Sequence, residues 1–129
     1  MILDSSAIVA QLFEESTHEQ LRNCVDRAAR VAVGSPTLVE TGLVLSSRYG
    51  SSARRLLIEY CETIGAEVIA FERRHAAAAL DAFLRFGKGR HPARLNYGDC
   101  MTYAVAKLAG EPLLCVGEDF AKTDLELAG

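Results

Sequence analysis

The feature that most constrains the fold of this chain is an alternation of short apolar segments with longer amphipathic ones. The apolar segments have the length and composition of buried strands, and they lie at 1–4, 31–33, 67–71 and 112–116. Segments with helical spacing separate them. This alternation predicts an α/β fold, a three-layer α/β/α sandwich with a central, mainly parallel sheet.

The predicted helices have recognisable capping residues at their ends. They cover 5–13, 17–30, 37–47, 51–64, 73–86 and 96–108. Ser5 is expected to cap the first helix, and Ser35 followed by Pro36 is typical of the start of the third. A chain of 129 residues can bury a core of its own. We therefore expect a single domain over 1–129.

The composition indicates a globular protein. Hydrophobic residues make up 50% of the chain and charged residues 24%, which excludes a disordered polyelectrolyte. No apolar run approaches the roughly 20 residues that cross a bilayer, so we expect a soluble cytoplasmic protein. The cysteines stand far apart in apolar stretches, at positions 24, 61, 100 and 115. This spacing predicts reduced core residues rather than a zinc site or disulfides.

The charge balance gives no general attraction for nucleic acid. The formal net charge is −3, from 14 basic and 17 acidic residues. This does not exclude a nuclease, since carboxylates that bind divalent cations no longer repel phosphate. The candidates for phosphate contact are Lys88, Arg90 and Arg94, in a basic, flexible-looking loop at 87–94. The alternative is an ordinary solvated surface.

Carboxylates follow two of the predicted strands. Asp4 ends the first strand, and Glu118 and Asp119 follow the last. In a parallel sheet the carboxyl ends of the strands share one edge, and ligands bind in the crevice there. Ser6 could hydrogen-bond to Asp4 and orient it. A plain helix cap explains Asp4 equally well.

Two further acidic residues lie within predicted helices. Glu40 interrupts an apolar segment, where burial of an unpaired charge is costly, so we expect it beside a cation. The alternatives are a buried salt bridge to an arginine and exposure on a narrow polar stripe. Asp99 follows the helix-capping Asn96 by three residues and fits a capping box as well as a metal site. The positive end of the helix is expected to keep Asp99 ionised, as a metal ligand must be.

Oxygen ligands without histidine or cysteine favour magnesium or manganese. One or two such ions can activate water and stabilise displacement at a phosphodiester, so nucleic-acid hydrolysis is the leading hypothesis. An aspartyl phosphatase would need aspartate where Ser6 stands. A non-catalytic phosphoacceptor (receiver) domain would need aspartate after the third strand and lysine after the last, where Glu72 and Glu118 stand.

Several short segments, taken in order, resemble the PIN domains and most closely the VapC-type toxins of bacterial toxin–antitoxin pairs. They lie at 2–7, 36–40, 95–100, 113–120 and 123–124, so the resemblance runs end to end. It implies a magnesium- or manganese-dependent endoribonuclease. Asp4, Glu40 and Asp99 fall on the family's three main acidic positions.

The resemblance leaves the fourth acidic position open among Glu118, Asp119 and Asp124, with Asp119 favoured. It also implies protein partners. Family members form homodimers and are inhibited by a cognate VapB-type antitoxin in a larger hetero-oligomer. The RNA target and the number of metal ions stay open.

Overall fold

The computed structural model describes residues 1–129, and its centre is one parallel sheet. The strands are β1 (Ile2–Leu3), β2 (Ala32–Gly34), β3 (Glu67–Ile69) and β4 (Leu113–Leu114). Their order across the sheet is β3-β2-β1-β4, and every pairing is parallel. Because β1 is central, the residue that follows it lies in the middle of the carboxyl edge of the sheet.

Six α-helices connect and cover the strands. They are α1 (Ser5–Leu12), α2 (His18–Arg27), α3 (Ser35–Tyr49), α4 (Ala53–Ile64), α5 (Arg73–Phe86) and α6 (Tyr97–Ala109). Short 3-10 turns lie at Gly50–Ser52 and Phe120–Lys122. None of the helices is long and apolar enough to span a membrane.

The two faces of the sheet bury two separate hydrophobic clusters. Ile2 and Leu113 belong to the cluster formed with α5 and α6. Their strand neighbours Leu3 and Leu114 belong to the cluster formed with α1, α2, α3 and α4. Successive strand residues point to opposite faces, so a two-residue strand already anchors both layers. The predicted three-layer sandwich with a parallel sheet is confirmed.

The burial of some predicted core segments differs from expectation. The third strand is an edge strand that pairs only with β2, and its Val68 is 56% exposed. A hydrophobic run does not reveal whether a strand has one neighbour or two. All four cysteines are free, as predicted, but only Cys100 is buried and the other three are partly buried. These three pack against the two hydrophobic clusters, so they lie at the margin of the core rather than within it.

The start of α1 also differs from the prediction. Asp4, not Ser5, is the N-cap: its backbone is extended (φ −84°, ψ 157°) and its side chain accepts the N–H of Ser6. The strand is too short to include Asp4, so the helix begins one residue earlier than a serine cap would allow. This leaves the hydroxyl of Ser5 free for another contact.

Candidate active site

The carboxylate of Asp4 is held by donors on both of its oxygens. Oδ2 accepts from the N–H of Ser6 at 3.1 Å and from its hydroxyl at 2.6 Å. Oδ1 accepts from the hydroxyl of Thr102 at 3.0 Å. The Ser6 hydroxyl also accepts the N–H of Val116, just beyond β4, at 2.9 Å. The predicted Ser6 contact is present, and Asp4 caps α1 while its buried carboxylate keeps one fixed orientation.

Glu40 lies partly buried on α3, and no arginine pairs with it. Its Oε1 accepts the hydroxyl of Ser5 at 2.7 Å. Its Oε2 lies directly against Gly98, where a Cβ atom would overlap it and approach Cδ to 2.8 Å. The glycine therefore allows the first turn of α6 to reach the carboxylate. Contacts from α1 and α6 take the place of the salt bridge that the sequence left open.

Asp99 forms the predicted capping box at the start of α6. Its Oδ2 accepts the N–H of Asn96 at 3.1 Å, and its own N–H donates to Oδ1 of Asn96 at 2.9 Å. Burial raises the pKa of its carboxyl to about 6; the Asn96 bond opposes this rise, and the charges of Asp4, Glu40 and Asp119 add to it. This carboxyl is therefore harder to ionise than an ordinary aspartate, because burial outweighs the hydrogen bond from Asn96.

Two acids of the final turn act on different neighbours. The exposed Asp119 is among the charges that raise the pKa of Asp99, whereas Glu118 is not. The charge of Glu118 acts on Cys115, whose thiol has its pKa raised to about 11 by burial and then by Asp4, Asp99 and Glu118. Of these two acids, Asp119 is therefore the one whose charge is a main cause of the raised pKa of Asp99.

Asp124 is engaged in a different cluster. It accepts the hydroxyl of Tyr103 at 2.6 Å and the ammonium of Lys107 at 2.8 Å. The guanidinium of Arg85 lies 3.6 Å from the same carboxylate. Two cations thus neutralise Asp124, and its charge is not among the main causes of the raised pKa of Asp99.

The chemistry of the donor set can be compared with the needs of a divalent cation. No three histidine, cysteine or acidic side chains stand close enough to form a ready-made metal cage. However, Asp4, Glu40 and Asp119 lie near enough to Asp99 to raise its pKa. No lysine or arginine forms a salt bridge with any of these four acids. Uncompensated oxygen ligands of this kind fit magnesium or manganese, whose charge would relieve the repulsion.

Backbone hydrogen bonds hold both ends of the basic loop before α6. The N–H of Lys88 donates to the carbonyl of Leu95 at 2.9 Å, and the N–H of Leu95 donates to that of Phe86 at 3.0 Å. Lys88, Arg90 and Arg94 are all exposed. The guanidinium of Arg90 lies over the ring of Phe83, 5.6 Å from its centroid. The loop leads directly into the helix start that carries Asp99.

Sequence reasoning missed three residues that contact the acids: Ser5, Gly98 and Thr102. A signal existed for Thr102, which follows Asp99 by three residues and therefore lies on the same helix face. Gly98 is a second signal, since glycine inside a helical turn weakens the helix unless something approaches closely. The contact between Ser5 and Glu40 joins residues 35 positions apart and has no local signal.

Comparison with known proteins gives the family. The sequence pattern of the family described as the PIN domain matches residues 1–126 of this chain. The chain belongs to the PIN-domain family. Within it, ribonuclease VapC36 of Mycobacterium tuberculosis is 48% identical over 130 residues, which cover 100% of this chain and 94% of that relative. This PIN domain is therefore a member of the VapC ribonuclease toxins, which decides against the phosphatase and receiver alternatives.

Solved structures confirm the fold. M. tuberculosis VapC20, described as a sarcin–ricin-loop-cleaving toxin, has a TM-score of 0.79 at 17% identity, with 99% of this chain and 98% of that chain covered. A toxin–antitoxin complex from Klebsiella pneumoniae contains a chain with a TM-score of 0.70 at 14% identity, with 95% and 92% covered. These two chains and this PIN domain differ at most positions, yet they have the same fold.

Proposed function

We propose that this PIN domain is a magnesium- or manganese-dependent endoribonuclease, the toxin of a VapBC-type pair, acting in the cytoplasm as a single domain. Its metal ligands in the proposal are Asp4, Glu40, Asp99 and Asp119. The observation that carries this is that the charges of Asp4, Glu40 and Asp119 all act on the carboxyl of Asp99 while none of the four acids has a basic partner. The ribonuclease names of relatives at 48% identity support the same activity.

The proposed ligands would hold the cation, and neighbouring hydroxyl groups orient two of them. A bound magnesium or manganese ion would supply Lewis-acid stabilisation of the phosphodiester and lower the pKa of an attacking water. Ser6 and Thr102 fix the direction of Asp4, and Ser5 fixes Glu40. Preorganised oxygens of this kind lose little freedom when a cation binds, as the supporting contacts of metal ligands generally ensure.

The RNA-binding part of the proposal concerns the basic loop. Lys88, Arg90 and Arg94 are exposed and make no salt bridge, so their charges are available to phosphate. Arginine is well suited to this task because its planar guanidinium matches two phosphate oxygens.

We also propose the protein partners. The likeness to a chain of a toxin–antitoxin complex supports a cognate VapB-type antitoxin for this protein. A homodimer and a larger hetero-oligomer with the antitoxin belong to the same proposal. A small antitoxin gene should lie immediately upstream; co-expression with its product, followed by size measurement of the purified complex, tests this part.

The activity test uses purified protein freed of any antitoxin. RNA should be cleaved with magnesium or manganese, and cleavage should stop with a chelator. Asp4→Asn, Glu40→Gln and Asp99→Asn should each lower the rate by about 100-fold or more. Each removes a negative charge that would hold the cation, and the cation would stabilise the transition state by several kcal/mol. Unchanged cleavage by folded Asp4→Asn or Asp99→Asn protein would refute the assignment.

The fourth ligand can be separated from its competitors by three matched variants. Asp119→Asn should reduce the rate, whereas Glu118→Gln should have little effect. Asp124→Asn should stay active although it is less stable, because its carboxylate binds Tyr103 and Lys107 instead. Loss of activity in Asp124→Asn or Glu118→Gln alone, with the fold intact, would move the fourth position.

A further inference from the structure

We propose that Tyr97 is a stacking platform for an unpaired RNA base beside the cleaved phosphate, and that Arg94 holds a neighbouring phosphate. The inference rests on the proposed ribonuclease function and names the form of RNA that the site accepts. Tyr97 is 80% exposed, the highest fraction among the large hydrophobic residues on the surface. It lies between Asn96, the cap of α6, and Gly98, which contacts Glu40.

The backbone beneath Tyr97 is fixed on both sides. The capping box joins Asn96 to Asp99 through two hydrogen bonds, of 2.9 and 3.1 Å. The N–H of the buried Cys100 donates to the carbonyl of Asn96 at 3.0 Å. A tyrosine side chain has only two rotatable bonds, so it offers a large aromatic face at a low cost in conformational entropy.

The fold itself gives no reason for an aromatic residue at position 97. The hydroxyl of Tyr103 binds Asp124, and that of Tyr49 contacts the carbonyl of Leu12. Tyr97 forms no hydrogen bond of this kind and no pair with another ring. An apolar face left in water beside a cluster of acids is available to a ligand that itself has an apolar face.

Arg94 supplies the second observation. Its backbone has φ 54°, in the left-handed region that is uncommon for residues other than glycine. Its neighbours Ala93 and Leu95 are fully buried, so the loop is anchored on both sides of it. Its guanidinium is exposed and pairs with no carboxylate, unlike those of Arg30 and Arg85. The loop thus holds a free guanidinium three residues before Tyr97.

Together these groups recognise two general features of RNA, a base and a phosphate. Stacking accepts every base, since every base has a π-face, but it requires a base that is not stacked in a duplex. The guanidinium accepts a phosphate of any sequence. Tyr97 and Arg94 therefore select single-stranded or loop RNA. They position the RNA strand at the acids without reading its base sequence.

The test measures binding rather than cleavage. Fluorescein-labelled 12-residue oligoadenylate, an abasic ribose-phosphate strand of equal length and the oligoadenylate–oligouridylate duplex are titrated by anisotropy, with calcium replacing magnesium and gels verifying intact RNA. Tyr97→Ala should weaken oligoadenylate binding by roughly 5- to 150-fold and Tyr97→Phe should not. The loss should vanish on the abasic strand. The wild type should bind the duplex more weakly than the single strand.

Two further variants complete the design. Arg94→Ala should weaken oligoadenylate and the abasic strand alike, because it removes a phosphate contact. Ile58→Ala, at an exposed apolar residue on α4, is the matched control and should change neither affinity.

Three results would overturn the inference: unchanged oligoadenylate binding by Tyr97→Ala, an equal loss on the abasic strand, or dissociation of a dimer by Tyr97→Ala in sedimentation. The last would make Tyr97 a contact between two copies of the chain. Cleavage of RNA by the wild type with manganese is scored separately. Failure of cleavage alone refutes the metal-dependent activity, whereas failure of the Tyr97 series alone refutes only the stacking role.

Discussion

The hydroxyl of Thr102 is the donor that reaches Asp4 from across the site. Thr102→Val keeps nearly the same shape but leaves Oδ1 of Asp4 without its 3.0 Å hydrogen bond. We expect manganese affinity to fall by about 10- to 100-fold, the usual effect of losing a contact that orients a metal ligand. Calorimetric titration measures it.

Thr41→Val is the matched control for this experiment. Thr41 is equally buried, and its hydroxyl donates to the carbonyl of Thr37 rather than to an acid. It should lose stability while keeping manganese affinity. Equal affinity losses in both variants would mean that Thr102 acts only through general packing.

The raised pKa of Asp99 predicts a pH dependence of stability in the metal-free protein. Its ordinary value is 3.8 and its folded value is about 6, so between these values the folded protein binds a proton that the unfolded chain has lost. Stability therefore falls as the pH rises through this window. Asp99→Asn does not suffer this fall. Urea unfolding should find it more stable than the wild type at pH 7.5, by about 1 kcal/mol after allowance for solvent screening, and by less at pH 4.5.

For Asp124 the pH dependence of stability has the opposite sign to that for Asp99. Burial opposes the shift, but the hydrogen bonds from Lys107 and Tyr103 lower the pKa of Asp124 overall. Its contribution is present above the unfolded pKa and is lost as the pH falls. This variant should therefore be destabilised more at pH 7.5 than at low pH. The same pH trend in both variants would contradict the two assigned environments.

At the residue scale, sequence reasoning found the acids but not their contacts. Asp4 and Asp99 each had a capping role and a site role as competing explanations, and the structure shows that the cap geometry also orients a carboxylate toward its neighbours. Glu40 was recognised because a charge inside an apolar segment needs a reason. The contact of Ser5 with Glu40 depends on how α1 packs against α3, which no local pattern encodes.

At the scale of elements, the first turn of α6 is the piece that must fit most closely. Gly98→Ala would place a Cβ atom onto Oε2 of Glu40 and push that carboxylate from its hydrogen bond with Ser5. We expect RNA cleavage to fall by about 100-fold, in line with the sensitivity of catalysis to displacements of about 1 Å. A cleavage time course measures the loss.

Gly42→Ala is the control in the other helix. A Cβ atom there would meet Cδ2 of Leu57 at 3.7 Å, an ordinary contact, and alanine favours the helix by roughly 0.5–1 kcal/mol. Activity should be kept and stability should rise slightly. An active Gly98→Ala protein would show that Glu40 can move without consequence.

The accuracy of the predicted elements follows from how local their signals are. The helix predicted at 73–86 is observed with the same bounds as α5, because capping and termination are encoded in adjacent residues. The strand predicted at 67–71 is observed only as Glu67–Ile69, at an exposed edge. Strand length depends on pairing with a neighbour that lies far away in the chain, so a hydrophobic run alone overestimates it.

At the scale of the whole molecule, the parallel sheet explains why acids so distant in sequence meet. Asp4 follows the central strand, and the N–H of Val116 beyond β4 binds the serine that orients it. The helices α3 and α6 then bring Glu40 and Asp99 over the same edge. Strand direction predicted the place of Asp4 and of the final turn at this edge, whereas the meeting of Glu40 and Asp99 with them was implied by the family resemblance. The neutralisation of Asp124 by Lys107 and Arg85 was not predicted, because it depends on the packing of α6 against α5 and the last turn.

A molecule with four uncompensated carboxylates at one edge of its sheet should be markedly stabilised by the cation that we propose they bind. At a concentration about 100 times the dissociation constant, manganese would add about 2.7 kcal/mol to the free energy of unfolding. For a chain of this size that corresponds to a rise of about 10 °C in Tm. Thermal unfolding with manganese, compared with a chelator at matched ionic strength, measures the rise.

Asp4→Asn and Asp99→Asn should lose most of this rise in Tm, while Asp124→Asn should start from a lower Tm and keep the full increment. An equal rise in Asp4→Asn would mean that manganese binds elsewhere on the surface, and no rise in the wild type would contradict a metal site at this edge of the sheet.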